Sequence, residues 1–168
     1  MRYGIDLGHG CPPDTGARGL RAEEELITLV GTRVISRLKL LGHSVIECRP
    51  NKASSVRDSL NKRVLIANNS EVDVFVSLHF NAANKIASGT EIFAISSKGR
   101  SIAAKVQKEI VALGFVDRKV KDGSHLYVVK NTTSPAILIE GCFCDSAIDM
   151  KIFDPEAMAD AIVRGLTA

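Results

Sequence analysis

Two histidines and one glutamate each lie at the end of an apolar, strand-like run. They are His9 in YGIDLGHG, His79 in DVFVSLHF and Glu140 in PAILIEG. In an open parallel sheet the strand ends share one edge, where ligands bind, so these distant residues are expected to converge. Two histidines and a carboxylate form a ligand set for a catalytic zinc that keeps one position open for water. The pattern therefore predicts a hydrolytic metal site.

Each of these residues also has a plainer explanation. His9, between two glycines, could be a loop histidine without a role, and His79 could be a histidine at the edge of the core. Glu140 could form a salt bridge with an arginine such as Arg63. However, a carboxylate after four apolar residues is costly unless it is paired, protonated or near a cation. Beside a metal-bound water it would act as a general base.

A third metal ligand is expected at the start of the first helix, where Glu23, Glu24 and Glu25 follow one another. Carboxylates in a first turn also stabilise the helix dipole, so at least one or two of them need no other role. These considerations leave the choice among the three open. The other histidines, His43 and His125, are expected to bind no metal, although His125 precedes a short extended segment and could touch substrate.

Composition limits the classes of function. The 168 residues fit one domain, and the net charge of +3 makes the chain mildly basic. Its basic residues are scattered and aromatic residues are few, which argues against nucleic-acid binding. The first residues, MRYGIDLGHG, are not expected to form a signal peptide, and no segment is expected to span a membrane. We expect a chain made in the cytoplasm that acts on its target after release, or a domain of a longer secreted protein.

The four cysteines are not spaced as a zinc site. They are expected to be free and mostly buried, at Cys11, Cys48, Cys142 and Cys144.

Apolar periodicity alternates between strand and helix along the chain. Strands are predicted at 2–7, 44–48, 72–78, 90–96, 126–129 and 136–140, and helices at 22–41, 55–69, 101–113 and 155–166. This alternation predicts one α/β domain over residues 1–168, with a mostly parallel twisted sheet flanked by helices on both faces.

Six motifs in order resemble the zinc-dependent N-acetylmuramoyl-L-alanine amidases of the Amidase_3 type. They are IDLGHG with DTGARG after it, the acidic start of the first helix, RVLIAN, DVFVSLHFNA, GTEIF and PAILIEGCFCD. The resemblance implies hydrolysis of the amide between the lactyl group of muramic acid and the L-alanine of the peptidoglycan stem. It implies bacterial peptidoglycan as the partner, with no nucleic acid and no membrane span, and we expect a monomer.

By position, the resemblance implies one zinc ion held by His9, Glu23 and His79, with Glu140 as the catalytic residue. Counting back from Gly42 without gaps selects Glu23 as the acidic ligand, and a shift of one residue would select Glu24 instead. Arg63, Asn68 and Asn81 match other family positions and are given no role.

Two features depart from the family pattern. The sequence after Glu140 is GCFCD where the family commonly has G-F-L-S/T-N, and only a few residues separate Asn81 from Gly89, too few for the inhibitory helix of regulated cell-division enzymes. The first resembles some phage and clostridial versions more than cell-division amidases. The second favours an open, unregulated site, as in a phage endolysin, an autolysin or a spore enzyme. Two alternatives are a zinc peptidase that cuts peptidoglycan stems and a non-catalytic wall-binding module.

Overall fold

A computed structural model of the chain describes all residues from Met1 to Ala168 and contains six strands and six helices. The strands are β1 (Arg2–Leu7), β2 (Ser44–Glu47), β3 (Val74–Asn81), β4 (Thr90–Ala94), β5 (Asp117–Asp122) and β6 (Ala136–Phe143). The helices are α1 (Glu23–Leu40), α2 (Val56–Asn69), α3 (Ser97–Val111), α4 (Tyr127–Asn131), α5 (Ala147–Ile152) and α6 (Pro155–Thr167).

The strands form one sheet in the order β2-β1-β3-β6-β4-β5. All neighbours are parallel except β4 and β6, which are antiparallel. The predicted mostly parallel α/β sheet is therefore confirmed. The reversal of β4 follows from the loop 82–89 that precedes it, because a parallel return requires a crossover of a dozen or more residues.

Three short elements were predicted incorrectly or not at all. The predicted strand at 126–129 is wrong, because these residues lead into and form most of helix α4. A brief apolar run such as YVV does not distinguish a strand from a helix. Edge strand β5, with sequence DRKVKD, has too little apolar alternation to be detected, and α5 has only six residues. Helix α3 begins four residues before its predicted start, because the Ser96 hydroxyl accepts a hydrogen bond from the Gly99 amide.

Helices cover both faces of the sheet and create two apolar cores. The larger core lies beneath α1, α3 and α6 and includes Leu78 of β3. The smaller core lies beneath α2 and α4 and includes Phe75 of the same strand. Since side chains alternate along a strand, His79 shares the α2 and α4 face with Phe75. No helix is both long and apolar enough to cross a membrane.

All four cysteines are free thiols buried in the fold. Burial, and then the charge of Asp6, raise the pKa of Cys48 to about 12. This cysteine therefore packs as a small apolar side chain rather than as a reactive thiolate.

Helices α3 and α6 approach each other closely at Gly165. A Cβ added there would lie 2.4 Å from the Cα atom of Val106, which is backbone and cannot rotate away. We expect Gly165→Ala to lower the free energy of unfolding by about 1–3 kcal/mol, in spite of the better helix propensity of alanine. Urea denaturation measures this, with Arg164→Ala as control, because the exposed Arg164–Glu109 ion pair contributes at most about 1 kcal/mol. A stabilised Gly165→Ala variant would contradict the close contact.

Candidate active site

His9, Glu23 and His79 meet at the carboxyl edge of the sheet. His9 follows β1, Glu23 is the first residue of α1, and His79 lies near the end of β3. The Glu23 Oε1 atom is 3.1 Å from His79 Nδ1 and 3.4 Å from His9 Nε2. One ligand atom from each residue lies within 4.8 Å of the others. The structure thus brings together three donors that could hold one cation.

Of the three consecutive glutamates, only Glu23 reaches this cluster. Its carboxylate accepts hydrogen bonds from the backbone amides of Ala17 and Phe80, at 2.8 and 3.2 Å. Burial raises the pKa of Glu23, but the bonds to both histidines outweigh this and hold it well below its usual range. Glu24 instead accepts a bond from the Gly16 amide, and Glu25 pairs with Arg21. Glu23 is therefore the glutamate whose charged carboxylate faces the two histidines.

The orientation of His9 is set by a strained backbone and a second carboxylate. His9 has a φ of 51°, which is uncommon for a residue other than glycine. Its Nδ1 atom lies 2.8 Å from Asp14 Oδ1, so Nε2 faces the cluster. Burial lowers the pKa of His9, but Glu23 and Asp14 together raise it to about 9. A carboxylate on the far ring nitrogen is the usual arrangement that orients a metal-binding histidine.

Arg63 holds this arrangement together from within the smaller core. Its side chain is only 1% exposed, and Nη1 donates to Asp6 Oδ1 at 2.6 Å. Nη2 donates to Asp14 Oδ2 at 3.2 Å and to the His9 carbonyl at 2.7 Å. Arg63 therefore supports the His9 loop and does not pair with Glu140, so the alternative explanation of Glu140 by this salt bridge is wrong.

Glu140 stands beside the cluster without an ion-pair partner. It is the direct neighbour of His79 in the β3–β6 register. Its Oε2 atom is buried and has no hydrogen-bond partner. Burial, and then the charges of Glu23 and Glu91, raise the pKa of Glu140 well above its usual range. A buried, unpartnered carboxyl with a raised pKa beside a donor cluster is a candidate acid or base.

A cleft of about 290 Å³ opens onto His9 and His79 from the side of α2 and α4. Apolar side chains form much of its wall, and His125 lies at its edge; the lining includes Leu60, His125, Leu126, Tyr127, Val128 and Leu138. Contact of His125 with substrate stays a prediction. His43 lies elsewhere, with its ring edge-on to Tyr3 at 5.3 Å.

Two residues of this site were not found from the sequence as functional residues. Asp14 was seen only as part of a loop motif, although an aspartate five residues after a histidine in a Pro- and Gly-rich loop is a signal that could have been used. Glu91, in the GTEIF motif, is the antiparallel register partner of Glu140. No pattern in the sequence indicates that pairing, because it depends on the place of β4 beside β6 in the sheet.

The fold corresponds to that of known amidase and endolysin catalytic domains. The catalytic domain of an endolysin targeting Clostridia difficile superposes with a TM-score of 0.91 at 25% identity, covering 99% of this chain and 97% of that one. The catalytic domain of CwlV, an N-acetylmuramoyl-L-alanine amidase from Bacillus (Paenibacillus) polymyxa, gives 0.86 at 29% identity, covering 99% and 96%. The protein is therefore an α/β domain of the amidase catalytic type.

The family model Amidase_3, described as N-acetylmuramoyl-L-alanine amidase, matches residues 4–168, and the chain belongs to this family. It is 35% identical to an uncharacterized cell wall amidase of Bacillus anthracis, over 96% of this chain and 34% of that protein. It is 26% identical to the sporulation-specific N-acetylmuramoyl-L-alanine amidase of Bacillus subtilis, over 96% and 63%. The chain thus spans between about a third and two thirds of the length of these two relatives.

Proposed function

We propose that this chain is the catalytic domain, over residues 1–168, of a zinc-dependent N-acetylmuramoyl-L-alanine amidase. It would hydrolyse the amide between the lactyl group of N-acetylmuramic acid and the L-alanine of the peptidoglycan stem. The observation that carries this proposal is the convergence of His9, Glu23 and His79 beside the unpartnered Glu140. Family membership supports the substrate class.

His9, Glu23 and His79 are the residues that would hold the metal. Two imidazoles and a carboxylate suit zinc and leave a position for water, so the donor set fits this ion. When bound, zinc supplies a Lewis acid that polarises the scissile carbonyl and lowers the pKa of water. Asp14 keeps His9 in the required orientation, and Arg63 keeps Asp14 in place.

Glu140 would move the proton in this reaction. A carboxyl whose pKa lies above its usual range can accept a proton from the attacking water and then donate it to the departing amine. Its position next to His79 in the sheet supports this role. The apolar wall of the cleft, with Leu60 and Leu138, would exclude bulk water from the scissile bond.

The test measures metal content and product identity with the same purified protein. We expect about one zinc ion per chain, lysis of purified cell walls that is lost on chelation and restored by zinc, and mass spectra that show free lactyl groups on intact glycan. Shortened stems with the muramoyl link intact would show a peptidase instead. Wall binding without any released product, or lysis that is indifferent to chelation, would overturn the proposed mechanism.

The identity of the acidic ligand has its own test. Glu23→Gln removes the charged oxygen that lies near both histidines, so we expect the purified variant to contain less than a tenth of the zinc of the parent chain. Glu24→Gln is the matched control, because Glu24 contacts only the Gly16 amide and the change keeps an acceptor. Normal zinc in Glu23→Gln, together with its loss in Glu24→Gln, would reverse the assignment.

A further inference from the structure

A row of charged side chains extends away from the candidate metal site across the sheet. His79 on β3 is the register partner of Glu140 on β6, and Glu140 is the register partner of Glu91 on β4. Beyond Glu91 lies the edge strand β5, which carries Arg118 and Lys121. Register partners on adjacent strands share one face, so His79, Glu140 and Glu91 lie on one surface. The register shifts between β4 and β5, and the ion pairs of Glu91 with Arg118 and Lys121 extend the row to the edge strand.

Arg118 is held in one orientation at the end of this row. Its Nε atom donates to Glu91 Oε2 at 2.8 Å, and its guanidinium carbon lies 5.0 Å from the centre of the Phe143 ring. Its two terminal nitrogens make no hydrogen bond within the protein, and the side chain is 34% exposed. A guanidinium fixed at Nε, with free terminal N–H groups, can bind a carboxylate through two parallel hydrogen bonds.

The charges of this group do not cancel. Lys121 also pairs with Glu91 Oε2, so one buried carboxylate faces two cations and a single positive charge remains. The other Glu91 oxygen accepts a bond from the Asn81 amide at 2.9 Å. Glu91 is only 5% exposed and has no free position for a ligand. The remaining positive charge is therefore carried by the partly exposed side chains of Arg118 and Lys121.

The distance from the metal ligands is of the order of the length of a short peptide. Adjacent strands lie about 4.8 Å apart, so Glu91 is roughly 10 Å from His79 along the row, and the side chain of Arg118 reaches back to Glu91. An extended chain advances by about 3.5 Å per residue. A carboxylate on the second residue after the scissile amide would then lie roughly 7 Å from the cleaved carbonyl, within reach of Arg118.

We infer that Arg118, assisted by Lys121, forms a subsite for the main-chain carboxylate of the second stem-peptide residue, on the leaving side of the scissile amide. The inference rests on the proposed amidase function and adds a determinant of substrate preference. It makes the domain favour stems in which this carboxyl is free over stems in which it is amidated. Arg118 is a binding and positioning residue, since its strand β5 lies two strands from Glu140 on β6 and three from His79 on β3.

The test uses two synthetic substrates, N-acetylmuramoyl-L-alanyl-D-glutamate and its α-carboxamide, with the side-chain carboxyl blocked as an amide in both. Each is assayed as a substrate and as a competitor of wall lysis. We expect the parent enzyme to have at least a tenfold lower KM or inhibition constant for the carboxylate form. Arg118→Gln should remove that preference. Its KM or inhibition constant for the carboxamide should change by less than about twofold, and kcat should change little.

Three further variants separate recognition from structure. Arg118→Lys keeps the charge but loses the forked geometry and should retain part of the preference. Lys121→Gln should lower the preference less than Arg118→Gln does. Arg100→Gln removes an exposed arginine that pairs with Asp122 and should change nothing.

Two results would overturn the subsite. One is a parent enzyme that treats both compounds alike, and the other is an Arg118→Gln variant that loses the same factor of kcat on both. Either would leave the amidase function intact if wall lysis and free lactyl groups are still observed. Failure to cleave any wall or substrate would instead overturn the proposed function itself.

Discussion

Replacing Glu140 with glutamine is expected to lower wall hydrolysis by about 10²–10⁴-fold, the usual contribution of a general acid or base. Glutamine has nearly the same shape but cannot accept and return a proton. Because Glu140 has no hydrogen-bond or ion-pair partner on its buried oxygen, the change should not disrupt a network. Zinc content and thermal stability should therefore remain close to those of the parent chain. Initial rates of wall lysis and metal analysis of the same samples measure both effects.

Glu109→Gln is the matched control, because Glu109 lies on α3 and pairs only with Arg164 at the surface. We expect it to keep full activity. If Glu140→Gln retained wall lysis within a factor of a few, Glu140 would not be the proton-transferring group. If the Glu140→Gln variant contained no zinc, Glu140 would contribute to metal binding rather than to proton transfer.

The sequence predicted the elements that have long apolar patterns. Strand β1 was predicted with its observed bounds. Helices α1, α2 and α6 were predicted within one residue at each end, because helical periodicity marks all three. Ser55 and Asp154 also cap α2 and α6, whereas Ala22 gives α1 no side-chain cap. The elements α4, α5 and β5 were missed or wrongly assigned because they are short or lie at the polar edge of the sheet. The antiparallel direction of β4 follows from its short connecting loop, whereas its place beside β6 depends on tertiary packing.

The sequence predicted which residues lie at the ends of separate strands. The structure adds the hydrogen bonds and ion pairs that hold these residues together. Convergence of His9 and His79 follows from a parallel sheet, whereas the turning of Glu23 toward them depends on the amides of Ala17 and Phe80. The pairing of Arg63 with Asp6 and Asp14 spans up to 57 residues and depends on tertiary packing. Periodicity describes which face a residue occupies but not its long-range partner, so such contacts require the folded chain.

Arg63→Met is expected to lower the free energy of unfolding by about 3–5 kcal/mol, because it leaves buried carboxylates without their cation. Asp6 and Asp14 are 1% and 3% exposed, so little solvent reaches them to replace the lost cation. The methionine fills much of the same volume, so loss of charge rather than a cavity should dominate. Urea denaturation at neutral pH measures the change. Arg37→Met is the control, since Arg37 pairs with exposed carboxylates near the surface and should cost at most about 1 kcal/mol.

The dependence of this loss on pH distinguishes charge from packing. Burial raises the pKa of Asp14, but hydrogen bonds from Ser59 and His9 and the charge of Arg63 hold it below its usual value. A carboxyl with a lowered folded pKa stabilises the protein above its unfolded pKa of about 3.9 and loses this contribution as pH falls further. Without Arg63, the pKa of Asp14 should rise, so protonation relieves the unpaired charge at a higher pH. The difference in stability between the parent and Arg63→Met should therefore shrink between pH 7 and pH 4, whereas an equal loss at both pH values would assign it to packing.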